Sequence, residues 1–252
     1  MAIFSLINKN ILITGASSGI GASCCKLLSE QGANIILTGR NSEKLKSTLA
    51  GLEAGNHTLL ELDLSENASI ENALNPVLSK YQKIDGFIHS AGIELTLPFN
   101  NLKLNHYQTI FGINVFSGLE IARILSKSKY IPENGSSYIF ISSIRGITGA
   151  IGAVAYSASK GALISAVRSV ALELATKKIR VNCISPAFVK TNMLMKSFSE
   201  LPIESVDKIV NSHPLGLGKP ADIASACLYL LSEESGWVTG SNLIIDGGFT
   251  IQ

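Results

Sequence analysis

Seven short apolar runs recur along the chain, each followed by a stretch of helical pattern, and that alternation leaves few ways to fold it. Residues 10–14, 34–38, 57–61, 86–89, 138–141, 180–184 and 243–245 read as strands without polar alternation. A strand with one wet face alternates apolar and polar residues, whereas a run without alternation is covered on both faces, as in a parallel sheet between two layers of helices. The fold class is therefore α/β, a doubly wound parallel sheet of about seven strands. Right-handed crossovers put every C-terminal strand end along one edge, and ligands bind on that edge where the strand order reverses. No linker, repeat or low-complexity stretch interrupts the pattern, so residues 1–252 are expected to form one domain.

The residues just after the strands carry the unusual chemistry. The first strand runs into Gly15-Ala16-Ser17-Ser18-Gly19-Ile20-Gly21, and a helical pattern follows to Gln31. Strand, glycine turn and helix make a phosphate cradle, because glycines let the backbone approach a pyrophosphate and the helix start offers free N–H groups. The second strand ends in Gly39-Arg40-Asn41, with no carboxylate before Glu43. A chain of this architecture that prefers NAD places an acid here to bind the ribose 2′-hydroxyl. Glycine leaves room for a 2′-phosphate instead, and the Arg40 guanidinium can grip it with paired charge-assisted bonds. NADP(H) is thus expected in preference to NAD(H). Later strand ends bring Asp63, Ala91-Gly92, Ser143 and Pro186 to the same edge. Between them Ser65 is expected to cap a helix reaching Tyr81 that Pro76 ends or kinks, and residues 102–127 contain a long helix.

Beyond the fifth strand a helix is expected over residues 155–175. Tyr156 and Lys160 are four apart and share one of its faces. Bringing a phenol from about 10 to about 7 needs roughly 4 kcal/mol of preference for the phenolate, which a neighbouring cation can supply.

Composition narrows the partners. A net charge of +2 argues against a polyanionic partner such as nucleic acid. No apolar run approaches the ~18 residues of a membrane span, and Met1-Ala2-Ile3-Phe4-Ser5 lacks the features of a signal peptide, so a cytoplasmic location is expected. Cys24 and Cys25 are adjacent, Cys183 and Cys227 are isolated, and no ligand spacing appears, so buried thiols and no metal site are expected. Apolar residues make up 46% and charged residues 16% of the chain, with a mean hydropathy of +0.30. That exceeds what one sheet can cover and points to subunit contacts.

With Thr14-Gly15-x-x-x-Gly19-x-Gly21, Asn114, Ser143, Tyr156-x-x-x-Lys160 and Asp246-Gly247-Gly248 in order, the whole chain resembles the short-chain dehydrogenase/reductase family. The resemblance implies a Rossmann-like fold, a homotetramer, and hydride transfer between a nicotinamide and a small carbonyl or alcohol substrate. It implies Tyr156 as general acid, Lys160 as the cation that lowers the Tyr156 pKa and binds the nicotinamide ribose, and Ser143 on the substrate oxygen. Asn114 would hold a water between Lys160 and solvent. Gly15, Gly19, Ile20 and Gly21 would wrap the pyrophosphate, with Ser17 and Ser18 also at the cofactor, Asp63 and Leu64 would meet adenine, and Pro186, Val189 and Thr191 would contact nicotinamide. Ser90, Ala91 and Gly92 complete the cofactor set. The family's usual Asn-Asn-Ala-Gly is His89-Ser90-Ala91-Gly92 here, so a hydroxyl must replace the amide that ties neighbouring strands. Ala187 likewise stands where glycine is common.

The segment at about 187–218, with Phe188, Met193, Leu194, Met195 and Phe198, is the expected substrate lid, and its apolar character suggests a largely hydrophobic carbonyl compound. Many similar chains are 3-oxoacyl-(acyl-carrier-protein) reductases, which leaves an acyl carrier protein open as partner. Lys177 and Lys178 could form the basic patch it needs near the entrance, although residues 133–137 supply no cation. Sugar, polyol, steroid-like and small ketone substrates are the other readings, and a non-catalytic dinucleotide sensor is the reading from another class.

Overall fold

The computed structural model describes residues 3–251. Met1 and Ala2 of the chain start, and Gln252 at the end of the expected 1–252 unit, lie outside the described residues. In order the chain forms β1 (Asn10–Thr14), α1 (Gly19–Glu30), β2 (Asn34–Gly39), α2 (Ser42–Leu49), β3 (Thr58–Glu61), α3 (Ile70–Tyr81) and β4 (Gly86–His89). Then come α4 (Leu104–Phe111), α5 (Ser117–Leu125), β5 (Ser136–Ile141), α6 (Val154–Leu174) and β6 (Ile179–Pro186). Helices α7 (Asn192–Ser199), α8 (Ile203–Asn211) and α9 (Pro220–Leu231) lead to β7 (Asn242–Ile245).

The strands form one parallel sheet in the order β3-β2-β1-β4-β5-β6-β7. The order reverses between β1 and β4. Continuous apolar strands split cleanly between two cores because successive side chains point to opposite faces. Leu12, Phe87, Tyr138, Phe140, Val181 and Cys183 enter the core shared with α3, α5 and α6. Ile11, Ile13, Ile88, Ile139, Ile141 and Ile184 enter the core shared with α1 and α9. All four cysteines are free and buried, and the Cys24 and Cys227 side chains are hydrogen-bonded between α1 and α9. The edge strand β7 departs from the expected cover on both faces, with Leu243 and Ile244 exposed by 38% and 42%.

Three local expectations need correction. Ser65 does not cap a helix: its N–H and hydroxyl both turn back to Asp63 Oδ1, at 2.9 and 2.8 Å, and α3 starts only at Ile70 after a 3-10 turn. A short side chain offered a nearby carboxylate closes a local turn in preference to a helix start. Pro76 does not end α3, which runs on to Tyr81. Pro76 and Asn72 are exposed, so water can satisfy the carbonyl that loses its partner, while buried Leu74, Val77, Leu78 and Tyr81 hold the helix to the core. The long helix at 102–127 is interrupted by a π-helical turn, Gly112–Phe116, between α4 and α5. Such turns insert one residue and reorient the side chains around them.

Candidate active site

At the C-terminal strand edge one cavity of about 760 Å³ crosses the reversal point. Its first wall is the turn after β1. Gly15 and Gly19 have φ of +66° and +55°, a region L side chains enter at a cost. A Cβ on Gly15 would also come within 2.9 Å of the Ala91 backbone. Ser18 precedes α1 without capping it through its side chain, so the first-turn amides face the cavity without a protein acceptor from that residue. This is a cradle that side chains would fill, and it fits a dinucleotide pyrophosphate.

Gly15, Ser17, Ser18, Gly19, Ile20, Arg40, Asp63, Leu64, Ser90, Ala91 and Gly92 all line this cavity. Gly21 does not. A Cβ there would overlap the Gly15 carbonyl oxygen, so its place is to let α1 pack under the turn. Arg40 is exposed beside Asp63 and makes no ion pair among the described residues. The Asp63 carboxyl is lowered, first by the Ser65 amide and hydroxyl and last by Arg40. Asn41 caps α2 by accepting from Lys44 N–H at 2.8 Å.

The opposite wall holds Ser143, Tyr156 and Lys160, together with Pro186, Val189 and Thr191. Tyr156 and Lys160 lie in the first turns of α6, with the Lys160 Nζ 5.6 Å from the Tyr156 ring centroid. The ammonium donates to the Ile141 carbonyl at 2.8 Å. Burial pushes the Lys160 pKa down to about 8. Tyr156 moves opposite to expectation: burial first, and then the Glu94 carboxylate, push its phenol up to about 12. The Ser143 side chain and the charge of Arg145 pull it down only partly, and Lys160 does not enter. Desolvation of a phenolate outweighs a cation that already spends a bond on a carbonyl.

Asn114 sits in the π-helical turn, outside the cavity lining. Its Oδ1 accepts from Ile93 N–H at 2.8 Å, and its Nδ2 donates to Ile93 O at 3.0 Å and Ser159 Oγ at 3.1 Å. Ser159 in turn donates to Tyr156 O at 2.7 Å. The side chain expected to hold a water thus spends three bonds fastening the loop after β4 to α6.

The tie between neighbouring strands is also different from the hydroxyl expected. His89, opposite Thr14 in the β1–β4 register, bridges them with its ring. Its Nε2 lies 3.2 Å from Asn114 O, an acceptor only, so Nε2 carries the proton and Nδ1 accepts from Thr14 Oγ1 at 3.0 Å. Thr14 Oγ1 accepts from Ala91 N–H at 3.2 Å. Burial drops the His89 pKa to about 3, so the ring is neutral. Gly118 makes space for it, since a Cβ there would sit 2.5 Å from His89 Cδ2.

Thr191 caps α7 by accepting from Leu194 N–H at 3.3 Å and reaches the glycine turn, where its Cγ2 would lie 3.2 Å from a Cβ on Gly19. Phe188, Met193, Leu194 and Phe198 face the cavity, and Met195 does not line it. The lysine patch fails on geometry. Lys177 and Lys178 precede the first residue of β6, whereas the cavity lies at its last, Pro186. Eight strand residues at about 3.3 Å each separate them. Lys177 donates to Ser126 O and Lys178 to Glu133 O.

Sequence reasoning missed Glu94 and Arg145, both lining the cavity. The available signal was position, since each is the first charged residue after a strand end already singled out. Burial raises the Glu94 carboxyl against the charges of Arg145 and Lys160. Burial lowers Arg145 against those of Glu94 and Tyr156.

Residues 15–250 match the family model described as enoyl-(acyl carrier protein) reductase. A 3-oxoacyl-(acyl-carrier-protein) reductase of Rickettsia prowazekii is 35% identical, over 98% of this chain and 98% of its own. An NAD-dependent glycerol dehydrogenase of Listeria innocua is 31% identical, over 99% of this chain and 96% of its own. Among solved structures, a protein described as a short-chain alcohol dehydrogenase from Sinorhizobium meliloti gives a TM-score of 0.90 at 28% identity, covering 100% of both chains. The ligand-free aldohexose dehydrogenase of Thermoplasma acidophilum gives 0.86 at 25% identity, covering 98% of this chain and 96% of its own. These relatives share a fold and differ in substrate. No helix among the described residues is long and apolar enough to cross a membrane.

Proposed function

This chain belongs to the short-chain dehydrogenase/reductase family, oxidoreductases that use a nicotinamide dinucleotide, and we propose that it interconverts a ketone and a secondary alcohol with NADP(H) preferred. The observation that carries this reading is the grouping of Tyr156, Ser143 and Lys160 on the cavity wall facing the glycine turn.

The bound dinucleotide supplies or accepts the hydride. The protein's residues do the rest. Ser143 donates to the substrate oxygen and fixes the carbonyl against Tyr156. Tyr156 gives that oxygen its phenolic proton as the carbon is reduced, and takes it back in the reverse direction. A phenol at about 12 is fully protonated at neutral pH, so the acid is loaded for reduction. Lys160, still largely an ammonium below about pH 8, binds the ribose. The turn at 15–21 and the first turn of α1 hold the pyrophosphate, and Asp63 and Leu64 flank the adenine. The segment at 187–218 closes over the substrate with Phe188, Met193, Leu194 and Phe198.

Arg40 reads the 2′-phosphate, because no acid ends β2 and its guanidinium has no ion-pair partner among the described residues. Arg40→Ala should lower kcat/KM for NADPH about 10–100-fold and leave NADH use much less affected. Equal losses, or a wild-type preference for NADH, would overturn this assignment. Turnover of a ketone panel with each dinucleotide, followed by nicotinamide absorbance, tests the activity itself; a non-catalytic sensor would bind dinucleotide and turn over nothing. The names of several relatives favour a 3-oxoacyl-(acyl-carrier-protein) substrate as second reading, but that partner would have to dock without Lys177 and Lys178. Exposed Leu104, Phe116 and Leu172 support a homotetramer, which light scattering at micromolar concentration checks.

A further inference from the structure

Arg145 follows Ser143 by two residues, and its N–H donates to the Ser143 hydroxyl at 3.1 Å. Its side chain enters the cavity beside Tyr156. The guanidinium carbon lies 5.3 Å from the Phe188 ring centroid and 5.8 Å from that of Phe249. These rings are 6.0 Å apart, and His213 packs on both, at 5.4 and 4.8 Å. Three segments distant in sequence therefore build an aromatic seat for one cation. Nη1 donates to Gly149 O at 3.0 Å, which fixes the rotation of the fork.

The seat leaves the charge uncompensated. A guanidinium has five N–H donors, and only the bond to Gly149 is made among the described residues. No carboxylate among them lies within ion-pair distance of Arg145. Glu94, which lines the same cavity, acts on it at longer range. A half-buried, oriented cation without an anion is costly in a protein alone and becomes favourable when a ligand supplies the anion. Aromatic faces order a guanidinium without using its N–H groups, so a carboxylate could be met in the paired geometry arginine favours. Ile144, Ala150, Leu194 and Leu201 give the same cavity apolar surface, beside Thr96, Ser197 and Glu200.

We propose that Arg145 determines substrate choice by binding a carboxylate, so that the preferred substrates are oxo acids with an apolar body. The proposal rests on the ketone reductase reading above. Glu94 would repel the same carboxylate when ionised, which makes it the brake on this preference.

The test uses the full chain with NADPH and three matched pairs, 3-oxobutanoate, 4-oxopentanoate and 5-oxohexanoate, each against its neutral amide. For at least one spacing, the wild type should favour the acid over the amide by about tenfold or more in kcat/KM, expressed mainly in KM. Arg145→Gln should lower kcat/KM for the acid far more than for the amide, Arg145→Lys should restore part of the difference, and Glu94→Gln should lower KM for the acid. Amides reduced as well as acids at every spacing would overturn the proposal, even if the Arg145 variants do not fold. So would equal loss on acid and amide in a folded Arg145→Gln. Reduction of neutral ketones without acid preference sinks the role of Arg145 alone. No turnover of any carbonyl with either dinucleotide sinks the reductase reading, and this inference with it.

Discussion

The two walls of the cavity are built by different means. The wall at β1, β2 and the loop after β4 is shaped mainly by missing side chains: Gly15, Gly19 and Gly92 leave space, and the helix start at α1 has no side-chain cap from Ser18. The wall at β5, β6 and α6 is made of side chains with displaced protonation. Tyr156 is pushed up to about 12 and Lys160 down to about 8, with Glu94 raised and Arg145 lowered beside them. On one wall specificity is set mainly by shape, with Arg40 adding a charge after β2. On the other it is electrostatic, and depends on how far the fold removes each group from water. His89 joins the two, since its neutral ring hangs Asn114 and the π-helical turn from Thr14 at the root of the glycine turn.

If the walls divide the work, variants should separate cleanly. The largest effect is expected for Tyr156→Phe, which removes only the proton donor: turnover should fall by about 10²–10⁴ while the dinucleotide Kd, from fluorescence titration, stays within about twofold. More than about a tenth of the activity remaining would remove Tyr156 from the acid role, and a large loss of dinucleotide affinity would erase the division.

Gly21→Ala should do the reverse. Its Cβ meets the Gly15 carbonyl oxygen, so the turn must shift, at about 1–3 kcal/mol in denaturant stability, and dinucleotide binding should weaken with it. An unchanged unfolding midpoint would mean that the turn is softer than its contacts imply.

The smallest effect is a slope. The ordinary Lys160 value of 10.5 falls to about 8 in the fold, so between those values the unfolded chain holds more protons than the folded one. Stability from this group therefore rises with pH above about 8, by about 1 kcal/mol per pH unit at most. Lys160→Met should remove that rise when unfolding is compared at pH 7 and 9.5. Parallel pH profiles for the two proteins would show that the ammonium is better solvated than its surroundings suggest.

The division also decides what could be read in advance. Strand runs, the glycine turn, Arg40 and the Tyr156–Lys160 pair are local patterns, in which residue type and spacing already contain the geometry. The π-helical turn at Asn114 is invisible in that way, because it inserts a residue into an otherwise ordinary helical pattern. Propensity does not record that the turn of α3 at Pro76 faces water, so it could not show that the helix runs on through it. Arg145 and Glu94 looked like ordinary charges at strand ends until the fold enclosed them, and the aromatic seat joins residues 145, 188, 213 and 249. The direction of the Tyr156 shift was misjudged for the same reason: the cation was legible, the burial was not.

The cysteines give the two cores separate reporters. Cys24 and Cys227 meet in the seam between α1 and α9, Cys25 lies in the same core, and Cys183 lies in the core on the opposite face of the sheet. Burial raises the thiols of Cys25 and Cys183, the latter to about 12, and the Cys24 contact raises that of Cys227. Because the thiolate is the reactive form, a disulfide-exchanging reagent has to wait until a core opens to water. Labelling measured residue by residue would therefore time the parting of each helical layer from the sheet, using probes the molecule already carries.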